Sequence, residues 1–243
     1  MKKRIQSALQ KILGFHRYLY WFSIFKVKTL TSDKKEGDFF HFLNLLPEDA
    51  VAFDIGANIG IMAVHLAWKC RRGTVHAFEP IPENLLTLRK IIRHFRLKNV
   101  VIHDYALGEQ AGKLTMVMPE VEAVRMQGLS HVVHESIQEF NEGLKYEVPV
   151  KTLDSIPELA AAKVSGIKID VENFEQFVFL GGKNLLKRDR PIVYCELWEN
   201  ENREACFRFF RVELGYSIQV LVNGKLVDFE ANTHNNQNFF FIG

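Results

Sequence analysis

One decapeptide, Val51-Ala52-Phe53-Asp54-Ile55-Gly56-Ala57-Asn58-Ile59-Gly60, constrains this chain more than any other stretch. A short apolar run carrying one acid breaks into a small-residue turn, and a helical pattern follows. The order predicts a strand, a tight loop and a helix start. Gly56 and Gly60 let the backbone turn sharply and approach a ligand without a Cβ in the way, and the helix behind them offers unpaired N–H groups. Such a loop holds a small polar group, here a nucleoside-bearing cofactor; the alternative is a plain glycine turn.

Spacing selects the cofactor. A dinucleotide fingerprint needs glycines at 56, 58 and 61, whereas this chain has Gly56, Asn58 and Ile61, so the residue that brings helix and strand close is missing. A nicotinamide oxidoreductase is thereby disfavoured. Asp54 stands two residues before the first glycine, which suits the amino-acid end of S-adenosylmethionine, where a carboxylate pairs with the ammonium directly or through water. Asn58 is expected to order the loop through its side-chain amide. Thr74 to Phe78 reads as a buried strand ending at Glu79-Pro80, nineteen residues beyond Gly60, where an acid accepts both ribose hydroxyls. An exposed strand-end carboxylate is the alternative for Glu79.

Composition fits one enzyme domain: 243 residues, 47% hydrophobic, enough to bury a sizeable core. A formal charge of +2, without a basic stripe interleaved with aromatics, gives no nucleic-acid signature, and Cys and His show no zinc spacing. Cys70, Cys195 and Cys206 lie in apolar patterns and read as reduced core residues of a cytoplasmic protein. The first thirty residues carry Lys2, Lys3, Arg4, Lys11, Arg17, Lys26 and Lys28 and no acid. Polar residues interrupt any signal-peptide core, and Tyr18 to Phe25 is too short to span a bilayer. Ile5, Ala8, Leu9, Ile12 and Leu13 follow helical spacing, so residues 1–45 form a basic amphipathic helical extension that packs on residues 46–243 or lies on an anionic membrane surface.

Beyond Glu79 the pattern alternates, with a helix over Glu83 to Phe95 and a strand over Val100 to His103. Asp104 to Ala106 then fall where an adenine would rest, with Asp104 accepting from the adenine amino group or serving as a solvated turn residue. Residues 119–147 break the alternation and read as an irregular lid or substrate loop. His131 and His134 lie one helical turn apart and are candidate proton acceptors, with a hydrogen-bonded lid role as the alternative; Ser130 is a candidate donor to substrate or cofactor.

The second motif is Gly166-Ile167-Lys168-Ile169-Asp170-Val171-Glu172-Asn173-Phe174-Glu175. Asp170 arrives at the carboxyl end of a strand expected beside the glycine loop, where methyl donor and acceptor would meet. Bunched carboxylates there invite a raised pKa, a bound cation or a proton-accepting role, while Glu172 and Glu175 also suit a helix start. If a divalent ion takes part, Asp170 and Glu172 are its candidate ligands, but two acids do not complete a site.

Together, Phe53 through Gly60, Glu79-Pro80, Lys151-Thr152-Leu153-Asp154 and Ile167 through Glu172 resemble the FkbM family of S-adenosylmethionine-dependent methyltransferases, in order and spacing from Val51 to Trp198. The resemblance implies an α/β fold with a Rossmann-like, doubly wound, seven-stranded sheet of the class I methyltransferase type behind the helical extension. It maps the cofactor loop onto Asp54, Gly56, Asn58 and Gly60, the ribose acid onto Glu79, and the central-strand acids onto Asp170 and Glu172. It also implies O-methylation of a hydroxyl on a sugar, glycan or natural product. Where the family has glycine, this chain has Asn173, the least costly Cβ-bearing residue for a positive φ. A noncatalytic cofactor-binding module is the rival reading. In the carboxyl third, strands are expected over Ile192 to Glu196 and Phe239 to Ile242, a helix over Asn202 to Leu214, and a hairpin about Asn223-Gly224.

Overall fold

The computed structural model describes residues 2–121, 124–134, 141–160 and 162–243. Three helices come first, α1 (Lys2–Leu13), α2 (Phe15–Thr29) and α3 (Gly37–Leu45). Strict alternation follows through β1 (Val51–Ile55), α4 (Ile61–Lys69), β2 (Thr74–Phe78), α5 (Pro82–His94) and β3 (Val100–His103). A run of strands follows, β4 (Ala106–Leu107), β5 (Gly112–Val121), β6 (Val124–Arg125), β7 (His131–Val132) and β8 (Gly143–Lys151), of which the end of β5, β6, β7 and the start of β8 fall in the expected lid at 119–147. A short α6 (Pro157–Ala160) leads to β9 (Val164–Ile169), α7 (Glu175–Leu180), α8 (Lys183–Asp189), β10 (Ile192–Glu196) and α9 (Glu201–Arg208), which runs on as a π-helical turn over Phe209–Leu214. The chain closes with β11 (Ser217–Val222), β12 (Lys225–Asp228) and β13 (Asn238–Ile242).

The main sheet has the order β12-β11-β13-β10-β9-β1-β2-β3. Its inner strands are parallel, and β13 is inserted antiparallel between β10 and β11. Seven of the strands form the expected doubly wound sheet. The eighth, β12, extends it because Asn223 and Gly224, with φ of 51° and 77°, make a tight hairpin whose twist suits an added edge strand.

Register positions the site. Ile55 pairs with both Phe78 and Ile169, so β1, β2 and β9 end at one level and the segments beginning at Gly56, Glu79 and Asp170 meet there. The chain winds away from this point in opposite directions, the place where open α/β sheets bind ligands. Phe53, Ile55, Phe78, Ile167 and Ile169 are buried in one core cluster, each side chain stabilising the sheet by about 1.5–3 kcal/mol. Strands covered on both faces need continuous apolar runs, which is why these segments do not alternate.

The amino-terminal helices pack on this framework. Tyr18, Leu19, Ile24 and Val27 of α2 are buried, Ser23 Oγ donates to the Ile59 carbonyl at 3.3 Å, and a ring nitrogen of His65 lies 3.1 Å from the Val27 carbonyl. The extension thus braces the glycine loop. Among the described residues no helix is long and apolar enough to cross a membrane.

The described part of the region expected as an irregular lid, 119–147, belongs instead to a second sheet of order β4-β8-β5-β6, with β7 paired to β5. Its long β5–β8 ladder runs from Gly112 opposite Val150 to Pro119 opposite Gly143. Residues 122–123 and 135–140 of that region lie outside the described residues. Cys70, Cys195 and Cys206 are free and buried, as expected.

Candidate active site

A cleft of about 370 Å³ opens where β1, β2 and β9 end. Gly56 and Asn58 line it with positive φ, at 77° and 49°, whereas Gly60, also at positive φ (87°), packs against Leu88 behind the loop and does not border the cleft. A Cβ on Gly56 would overlap the Asp170 carbonyl oxygen, so glycine is required by both conformation and space. The Gly56 and Ala57 amides donate to the Phe78 carbonyl at 3.1 and 2.9 Å. The Asn58 amide donates to Glu79 Oε2 at 2.8 Å, and its side-chain Nδ2 to the Gln127 carbonyl at 3.2 Å. Asn58 therefore orders the loop through backbone and side chain together.

Glu79 is buried and borders the cleft. Its Oε1 accepts from the Ile81 amide at 2.8 Å and from Asn84 Nδ2 at 3.4 Å. Burial pushes its carboxyl up to about 7 despite these donors. The exposed alternative for Glu79 is excluded.

Asp54 does not reach the cleft. It is wholly buried, with Lys168 Nζ 3.2 Å from Oδ1 as an ion pair that lacks hydrogen-bond alignment. Lys168 also donates to the Gly56 carbonyl at 3.2 Å and does line the cleft. Burial works against its ammonium, but the charges of Asp54 and Asp170 outweigh that cost and hold its pKa above the ordinary value. Asp54 thus acts on the cleft through Lys168. The sequence marked Lys168 only as a strand residue of the second motif.

Asp170 and Glu172, just beyond the end of β9, line the cleft. Glu172 and Asn173 both take positive φ, at 54° and 74°, and Asn173 Oδ1 accepts from Asn200 Nδ2 at 2.7 Å. Asparagine thus fills the family glycine position in the conformation expected. Burial, then the charge of Asp170, raises the Glu172 carboxyl; burial and Asp170 also raise that of Glu196. Glu175 points inward, accepting from the Val171 amide at 3.0 Å and Asn202 Nδ2 at 2.8 Å, and burial pushes it up to about 7. A second cavity of about 390 Å³ adjoins the cleft and shares Glu36, Met62, Lys168 and Asp170 with it, while Tyr194, Glu196 and Asn238 line its far side.

The remaining candidates divide. Ala106 and Ser130 border the cleft, and Ser130 Oγ donates to the Gln127 carbonyl at 3.0 Å. Asp104 points out of it, with a side chain 63% exposed and 3.4 Å from Arg89, so Tyr105 and Ala106 provide the wall at that point. His131 and His134 do not share a helix turn, since His131 begins strand β7. His131 is buried with Nδ1 2.8 Å from the Leu129 carbonyl and Nε2 3.2 Å from Asn141 Oδ1, while His134 packs on Phe174 and Phe177. Neither lines the cleft. Among the described residues no group of three or more His, Cys, Asp or Glu is placed to hold a metal ion.

Four cleft residues come from the amino-terminal segment, Phe22, Lys26, Leu30 and Glu36, and their helical spacing gave no sign of it. Asn58 Oδ1, Asn84 Oδ1 and Gln127 Oε1 are buried at the cleft without a hydrogen-bond partner among the described residues. Three orphaned acceptors need donors, which the ammonium, ribose hydroxyls and adenine amino group of S-adenosylmethionine can supply.

The methyltransferase FkbM domain model matches residues 54–235. The chain belongs to the FkbM methyltransferase family. This FkbM protein is an S-adenosylmethionine-dependent methyltransferase. Among solved structures it is similar to methyltransferase FkbM from Methylobacillus flagellatus KT, with 15% identity, a TM-score of 0.54, and coverage of 81% of this chain and 44% of that one. It thus spans less than half of that protein's length. It also resembles a precorrin-6y C5,15-methyltransferase from Geobacter metallireducens GS-15 (13% identity, TM-score 0.46, 86% and 88% covered) and an rRNA methylase from Streptococcus thermophilus (8%, 0.47, 83% and 90%). At 15% identity the likeness to the first of these concerns the fold alone. Comparison with curated proteins gives no match.

Proposed function

We propose that this FkbM domain methylates a hydroxyl oxygen of a small polyhydroxylated acceptor, a sugar or glycan being the best fit. The observation that carries the reading is the position of Asp170, shared by the cofactor cleft and the polar cavity beside it. One carboxylate can there meet both the donor side and an incoming hydroxyl.

The cofactor would be held by the loop from Gly56 to Gly60, with Glu79 accepting from the ribose, Ser130 and Gln127 closing over the nucleoside, and Ala106 against the base. When bound, S-adenosylmethionine supplies a methyl group on a sulfonium centre. Asp170 accepts the hydroxyl proton of the acceptor as the oxygen becomes nucleophilic, a contribution of about 10²–10⁴-fold for a positioned base. Glu172, its carboxyl raised by burial and by Asp170, favours the protonated form and donates a hydrogen bond that orients the acceptor. Lys168 fixes the floor between them through Asp54 and the Gly56 carbonyl. His131 has both ring nitrogens engaged within the protein, which supports Asp170 over His131 as the base.

Release of S-adenosylhomocysteine in the presence of a panel of mono- and oligosaccharides tests this reading. Product release that depends on a sugar and disappears in Asp170→Asn supports it. Turnover with amine or thiol acceptors only would replace it.

A further inference from the structure

Helix α2 carries a second surface that methyl transfer does not use. Besides His16, its exposed side chains are Arg17, Trp21, Phe25 and Lys28, spaced four, four and three residues apart, so these four form one outward stripe. Trp21 is 59% and Phe25 61% exposed. On α1, Ile12 is 79% and Leu9 39% exposed, with Lys11 exposed between them. Isolated exposed apolar residues are ordinary, but aromatic residues in line between cations are the make-up of a helix lying in a membrane interface.

A second observation points the same way. Beside the stripe, between α2 and α5, a groove of about 350 Å³ is lined by His16, Arg17, Tyr20, Lys90, Arg93 and His94. No acid lines it, and among the described residues Arg17, Lys90 and Arg93 have no acidic partner within ion-pair distance. The chain has no Asp or Glu before Asp33 but seven Lys and Arg. Of these, Lys26 pairs with Asp33 at 3.2 Å, but Arg17, with Lys90 and Arg93 across the groove, lies without an acidic partner among the described residues next to exposed aromatic rings, and calls for an anionic, amphiphilic partner. A second copy of this chain would bring the same cations against themselves in a two-fold contact, which disfavours self-association.

We infer that the outer face of α1 and α2 docks the protein on an anionic membrane surface, with Trp21 and Phe25 entering the interface and lipid phosphates occupying the groove between α2 and α5. Neighbouring positions Phe22 and Lys26 wall the cofactor cleft, so one helix joins the lipid face to the active site. The inference does not depend on the identity of the acceptor, and its failure would leave methyl transfer untouched.

Co-sedimentation with vesicles tests it, comparing phosphatidylcholine alone with phosphatidylcholine in which phosphatidylglycerol makes up one third of the lipid. Roughly tenfold stronger partition onto the anionic vesicles is expected, weakened by salt. Trp21→Ser/Phe25→Ser should lose most of it, and Lys90→Glu/Arg93→Glu should lose the preference for phosphatidylglycerol. Calorimetric titration with S-adenosylmethionine verifies that both variants remain folded and bind the cofactor as before. Equal partition onto the two vesicle types, or variants that bind as well as the native chain, would overturn the inference. So would a dimer in sedimentation velocity that Trp21→Ser/Phe25→Ser converts to monomer, since the face would then belong to a second copy.

Discussion

Glu79 and Asn58 are joined by a 2.8 Å hydrogen bond from the Asn58 amide to Oε2, which ties the end of β2 to the glycine loop of β1. Its Oε1 already serves Ile81 and Asn84, so Oε2 retains the freer lone pair for a ribose hydroxyl. Burial raises this carboxyl to about 7, and only its ionised form accepts from both partners. Cofactor affinity should therefore tighten as pH rises from 6 to 8, and Glu79→Gln should flatten that dependence while weakening binding roughly tenfold or more. Calorimetry across that range reads both effects.

The same shift bears on stability. Glu79 and Glu175 each bind a proton more tightly in the folded chain, at about 7, than at the ordinary 4.5. Between those values the folded state holds more protons, so these two groups make stability fall as pH rises through the window, and the loss is complete above about 7. Glu175→Gln should remove part of that decline, by on the order of 1–3 kcal/mol between pH 5 and 8. Urea denaturation at the two pH values measures it.

Gly56→Ala would place a Cβ into the Asp170 carbonyl at a φ of 77°. Left-handed backbone and overpacking together should cost about 3 kcal/mol and separate the two motifs. We expect a lowered Tm and no measurable cofactor binding; a folded variant of native affinity would show that the loop shifts freely.

Lys168→Met leaves the wholly buried Asp54 charge without its counter-ion. Breaking one side of such a pair costs about 3–5 kcal/mol. Adding Asp54→Asn removes the stranded charge, so the double variant should be more stable than Lys168→Met alone. Equilibrium unfolding of the three variants forms the cycle.

Asp170→Asn tests the proposed base. Turnover should fall about 10²–10⁴-fold with cofactor affinity changed only a few-fold. Asn173→Gly, by contrast, eases a φ of 74° but loses the hydrogen bond to Asn200, and stability should move by less than about 1 kcal/mol. Asn173→Val has neither compensation and should cost about 1–2 kcal/mol. Unfolding midpoints separate the two substitutions.

The backbone frame was legible because strands buried on both faces must be apolar throughout and must stop at turn residues. Val51 to Ile55, Thr74 to Phe78, Val100 to His103 and Ile192 to Glu196 begin and end where that rule places them. Glu79, Asp170 and Glu172 follow from standing at strand ends. What remained hidden depends on side-chain direction. Lys168 looked like any strand residue, yet its ammonium crosses to Asp54 on β1. Asp104 turns outward to Arg89 while its neighbours Tyr105 and Ala106 turn in. The histidine spacing suggested a helix turn where the chain forms β7, because pairing with Met116 and Val117 of β5 overrides local periodicity.

The family match begins at Asp54, yet Phe22, Lys26, Leu30 and Glu36, all earlier in the chain, complete the cleft. A change in the first forty residues reaches both the wall of that cleft and, through Ser23 and Ile59, the loop beside it. A version trimmed to the matched segment would be missing one side of its own reaction chamber.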